Sequence, residues 1–205
     1  MVRAPLAPFA PLPFPAPRRP PGADGRWERA RRWYEDALGW ETAPGAPVRL
    51  RTGVGFDVLD VPAEAGHAAL GRLPAGFPVA LRGDRMLLLV AAGGAEELPG
   101  LLEWLEWGSL ELGLRAVGAG GLIDAPLPAG PGAPAVPGGS QGAAVWLRPP
   151  EPGRGAGASL PTLSAMGGER VAPGLVRLVG TVATECHRVR LRRACGRPAP
   201  RPGRP

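Results

Sequence analysis

The chain predicts an α+β protein: a mostly antiparallel sheet with helices packed on one side. Strand-like segments outnumber helical ones and arrive in pairs, whereas a doubly wound parallel sheet needs single strands alternating with helices. The densest apolar run, MLLLVAA at 86–92, has the length of a buried strand and is far too short to span a membrane. The 205 residues are 44% hydrophobic and include six Trp, enough for one core in spite of 32 Gly and 28 Pro.

The elements follow in order. Residues 1–25 carry a Pro every few positions and read as a disordered, polyproline-like arm. Order begins near Trp27, where Trp27, Ala30, Tyr34, Ala37 and Leu38 share one face of an amphipathic helix that Gly39 stops. Val48 and Leu50 alternate with Arg49 and Arg51 in a half-buried strand, and FDVLDV at 56–61 reads as another. Pro62 opens a helix to about Leu73 with Ala65, Ala69, Leu70 and Leu73 inward. Phe77 to Leu81 and Arg85 to Ala91 form a hairpin around Arg82-Gly83-Asp84. Glu96 to Trp107 is a helix that buries Leu98, Leu101, Leu102 and Leu105, with Pro99 in its first turn. Leu110 to Val117 and Leu122 to Ala125 pair as a second hairpin around Gly118 to Gly121. A long Pro/Gly/Ala loop over 126–142 precedes a short strand at Ala144 to Leu147. The last helix puts Leu175, Leu178, Val179, Val182 and Cys186 on one stripe and ends in Arg188, Arg190, Arg192 and Arg193, which suit the helix dipole. Residues 26–195 thus make one domain between the arm and an Arg/Pro tail at 196–205.

Charge and compartment narrow the function. Every one of the 24 basic residues is Arg and the net charge is +6, but the excess sits at the ends: 1–26 carries four Arg and one Asp, and 188–205 seven Arg and no acid. The middle, 27–187, holds 13 Arg against 17 acids, so the folded part offers no cationic groove for a polyanion. A nucleic acid or nucleotide partner would be held only weakly. The prolines of the first 20 residues break the helical run a signal peptide needs, and no membrane span is present, so the expected setting is cytoplasmic. Cys186 and Cys195 fall on one helix, roughly 13 Å apart at its rise per residue, too far for a disulfide.

Few residues have the pattern of a chemical site. His67, Cys186, His187 and Cys195 lack metal-ligand spacing, and Cys186 belongs to an apolar stripe. Gly118 to Gly121 lacks the Lys-Ser/Thr of a P-loop. Asp57 and Asp60 are the candidate Mg²⁺ ligands, yet strand side chains alternate, so positions 57 and 60 face opposite ways unless a bulge intervenes.

The blocks FDVLDVPAEAG, AALGRL, FPVALRGDRMLLLVA, LELGLRAVGAGGLIDAPLP and AVWLRPP resemble the bifunctional DNA primase/polymerase N-terminal domain of the archaeo-eukaryotic primase superfamily, in its short actinobacterial form. The likeness runs over roughly residues 27–195. It implies an RRM-like core and template-directed nucleotidyl transfer by two Mg²⁺ ions on acidic ligands. Asp60 matches the first acid of the family's Asp-x-Asp pair, but Pro62 stands at the second. Gly113 stands at the third acid, with Glu111 two residues away as a candidate substitute. The family's phosphate-contacting His falls near Arg85 or Met86, which makes Arg85 and neighbouring Arg82 the candidate nucleotide-binding residues. A two-metal site stripped of a carboxylate loses its electrostatic clamp, so the resemblance implies a degenerate polymerase that binds or regulates. Two alternatives stand beside it. One is an active Mg²⁺-dependent nucleotidyltransferase using Asp57, Asp60 and Glu111. The other is a glyoxalase/bleomycin-resistance protein, which ARRWYEDALGWET at 30–42 resembles, although that family's metal-binding His residues lie on strands and His67 and His187 fall in helices.

Overall fold

The computed structural model describes residues 23–126, 144–152, 159–163 and 174–195. All but the last three residues of the expected arm, nearly all of the 126–142 loop and the 196–205 tail lie outside them. The fold is α+β, as the strand pairs predict, and its centre is a five-stranded antiparallel sheet. β3 (Asp57–Pro62), α2 (Ala63–Leu70), β4 (Val79–Arg82), β5 (Arg85–Val90), α3 (Gly94–Trp104) and β6 (Arg115–Val117) form a βαββαβ unit. β8 (Val145–Arg148) adds a fifth strand, giving the order β6-β3-β5-β4-β8. The unit is of the split βαβ type, as an RRM-like core is. β3 and β5 are buried almost end to end, so their apolar runs read as continuous and not as alternating. The β4–β5 turn is the expected tight hairpin: Arg82 pairs with Arg85, and Gly83 takes φ +60°, a conformation in which a side chain would be strained.

The sheet separates two cores. Leu59, Val61, Met86, Leu88 and Val90 face α2, α3 and α4 (Leu175–Cys195), where Leu178, Val179, Val182 and Cys186 form the predicted stripe. Val58, Leu87 and Leu89 face the other way, onto Tyr34, Trp40, Leu50, Phe56 and Ile123. Helices therefore cover one face, with one correction. α1 (Ala23–Arg32) and the π-helical turn Trp33–Ala37 that continues it send Tyr34 and Leu38 into the opposite core. α1 begins four residues before Trp27, inside the stretch expected to be arm.

A second correction concerns the glycine hairpin. β6 and β7 (Leu122–Asp124) do not pair with each other: β6 joins β3, while β7 crosses to β2 (Arg49–Arg51), which also pairs with the two-residue β1 (Thr42–Ala43). The turn between them is sewn to the 52–53 loop. Thr52 N–H donates to Gly121 O at 3.1 Å and its hydroxyl to Gly118 O at 2.6 Å, and a Cβ on Gly53 would lie 2.3 Å from Ala119 Cα. That contact sends the two strands into different sheets.

Tyr34 closes the second core. Its hydroxyl donates to Pro126 O and accepts from Trp146 Nε1 at 3.0 Å, and its ring packs between Trp33 and Trp40. Tyr34→Phe strands two polar groups at once and is expected to cost about 1–2 kcal/mol in urea denaturation. Among the described residues no helix is long and apolar enough to cross a membrane.

Candidate functional site

Asp60 lies in the middle of β3, beside Leu87 of β5 and Arg115 of β6, and is only 5% exposed. A buried carboxylate needs a counter-charge, and the β4–β5 hairpin supplies two. Arg85 Nε donates to Oδ1 at 2.7 Å and Arg82 Nη2 to Oδ2 at 3.4 Å. Arg85 goes further: its Nη2 donates to the backbone carbonyls of Asp60 at 2.7 Å and Gly113 at 2.8 Å. One guanidinium therefore ties β5 to β3 and to the segment leading into β6. Arg82 and Arg85, the expected phosphate contacts, are both turned onto the expected metal ligand. Gly113, at the third acid of the resemblance, offers that guanidinium a carbonyl.

The other candidate ligands do not join Asp60. Asp57 faces the helices, as strand parity requires, and is fully buried. Its Oδ2 accepts from Ala95 N at 3.0 Å and its carboxylate from Gly93 N–H, so it caps α3 from a neighbouring strand. Oδ1 has no hydrogen-bond donor, and the Glu96 carboxylate lies against the group. Burial first, and the negative charge of Glu96 with it, raises the Asp57 carboxyl above its ordinary pKa. Glu96 moves the other way because its own N–H and that of Ala119 donate to it. Glu111 is exposed and precedes β6, off the strand, so it does not stand in for the acid that Gly113 replaces.

These donors do not fit a divalent ion. Asp60 has both oxygens committed to guanidiniums, Asp57 lies across the sheet, and among the described residues no group of three or more His, Cys, Asp or Glu converges. His67 and His187 fall in α2 and α4, and His187 packs its ring 5.5 Å from that of Trp107. Cys186 is buried, which pushes its thiol up to about 11, and Cys195 is free and exposed.

Sequence reasoning missed a third cluster. Glu185, 3% exposed, accepts from Arg72 Nη1 at 2.8 Å and Arg188 Nη1 at 2.6 Å, tying the end of α2 to α4. The signal was present: position 185 falls on the apolar stripe with Leu178, Val182 and Val189, where an acid demands a cation. No protein-family model matches the chain, and comparison with the curated proteins and with the solved structures finds no match either.

Proposed function

We propose that the chain is a primase/polymerase-like domain without metal-dependent nucleotidyl transfer, acting as a binding or regulatory module in DNA metabolism. The observation that carries this reading is the commitment of Asp60 to Arg85 and Arg82 at 2.7 and 3.4 Å. A magnesium ligand must turn an oxygen toward an open position, and both Asp60 oxygens are turned instead toward guanidiniums whose positive charge repels a divalent cation. The βαββαβ core, with Asp60 on its first strand, agrees with the resemblance in the sequence blocks.

Its partner on this reading is a nucleic acid or nucleotide held weakly. The guanidiniums that would meet phosphate are drawn onto Asp60. The sheet face on which an RRM-like domain stacks bases is filled here by Tyr34, Trp40 and Phe56 packed against Leu87 and Leu89. Primer extension on a primed template with Mg²⁺ tests the reading. The expected result is no incorporation by the wild type and none by Asp60→Asn. Incorporation by the wild type that Asp60→Asn abolishes would overturn it and favour an active transferase built on Asp57, Asp60 and Glu111.

A further inference from the structure

The first turn of α3 is held from two sides by carboxylates that meet each other. From within the core Asp57, at the start of β3, takes the Ala95 N–H on Oδ2 at 3.0 Å, while its Oδ1, equally buried, has no hydrogen-bond donor. Glu96, the next residue of the helix and an exposed one, reaches the other way: its Oε1 accepts the Ala119 N–H of the glycine turn at 3.3 Å. That turn comes so close to α3 that a Cβ on Gly118 would lie 2.7 Å from Glu96 Oε1 and 2.7 Å from Ala95 Cβ. Glycine there is what lets the carboxylate seat.

The Asp57 and Glu96 carboxyl groups lie against each other. Among the described residues Glu96 is the one ionisable group that acts on Asp57; β5 sets Val90 opposite it, and α4 brings Leu175 against Gly94. Two ionised carboxylates in contact repel, and no cation relieves this buried one. A single proton turns one oxygen of the pair from acceptor into donor, and Oδ1, which lacks a donor, is free to carry it.

We propose that Asp57 and Glu96 share one proton as a pH-operated clasp, closed onto the Gly118–Gly121 turn while the proton is present and released when it leaves. On release Asp57 stays fixed by its backbone donors, so the exposed Glu96 swings into water and gives up Ala119. The turn it lets go is the joint between the two sheets: β6 enters it from one, β7 leaves it for the other, and the Thr52 hydroxyl grips Gly118 O within it. The clasp is closed above the lowered Glu96 value and opens as pH rises through the raised Asp57 value. The inference does not depend on the primase/polymerase reading.

NMR of the backbone amides and side-chain carboxyl carbons of the full chain across pH 3–8 tests it. The Ala119 amide and the Asp57 carboxyl carbon are expected to titrate together, at one inflection above the ordinary aspartate range. Hydrogen-exchange protection at Ala119, corrected for the intrinsic pH dependence of exchange, should be at least about tenfold higher below that inflection than above it. Glu96→Gln, on the exposed side of the pair, removes the second charge and keeps an oxygen for the Ala119 N–H. It should hold Ala119 protected throughout and return the Asp57 inflection toward the ordinary range, while Asp57→Asn should abolish the inflection at Ala119. An Ala119 amide that does not titrate with Asp57, a wild-type Asp57 that ionises in the ordinary aspartate range, or an inflection at Ala119 that persists in Glu96→Gln would each overturn the proposal.

Discussion

Arg85→Ala is expected to destabilise the fold by about 3–5 kcal/mol, the range measured when one partner is stripped from a buried ion pair. The loss is large because three acceptors lose their donor together: Asp60 Oδ1, the Asp60 carbonyl and the Gly113 carbonyl. Arg82 remains, but at 3.4 Å from Oδ2 it compensates poorly. The partner experiment fixes the interpretation. Replacing both members with apolar residues of similar size, Asp60→Leu with Arg85→Met, removes the stranded charge and should recover most of the loss, since buried pairs add little net stability over a well-packed apolar pair. Equilibrium urea denaturation of the two single variants and the double variant reads the coupling directly. A cost below about 1 kcal/mol for Arg85→Ala would mean that Asp60 is not held by this guanidinium.

Asp57→Ala is expected to cost about 1–2 kcal/mol, because it removes the acceptor that caps α3 and leaves the part-buried N–H of Ala95 without its partner. Asp57→Asn should behave differently. It keeps an oxygen for Ala95 N–H and presents an N–H toward Glu96, where the protonated acid presents its O–H. The Asp57 carboxyl is raised in the folded protein, so the folded state binds this proton more tightly than the unfolded state. Its contribution to stability is fully present below the ordinary aspartate value and is lost as pH rises from there through the raised value. Glu96, lowered in the fold, contributes with the opposite sign. The informative quantity is therefore the difference between Asp57→Asn and wild type across pH 3–8, which should move in favour of Asn as pH rises. A difference independent of pH would remove the ionised Asp57 from the account.

Particular residues show what could be read ahead of the coordinates. The apolar runs around Leu59 and Leu88 announced buried strands, and the stripe from Leu175 to Cys186 announced α4, because hydrophobic period is a local property. Strand parity alone separated Asp57 from Asp60. The partners of β6 and β7 were not legible. Four residues containing three glycines read as a hairpin turn, and what sends β7 to β2 is the close approach of Ala119 to Gly53, a contact 66 residues apart in sequence. β1, two residues long, carries no periodicity to detect. Arg82 and Arg85 stood out only as candidate nucleotide-binding residues, and their capture by Asp60 follows from the β4–β5 register against β3, which is a tertiary fact. Glu106 at positive φ also left no trace, since nothing in a Trp-Leu-Glu-Trp string marks the end of a helix.

The most direct test of the claim that Asp60 is an arginine-bound anchor is paramagnetic broadening by Mn²⁺ in a backbone amide spectrum. The account predicts no saturable broadening at the amides of residues 59–61, 85–87 and 113–115. Saturable broadening confined to those amides, and lost in Asp60→Asn, would contradict it.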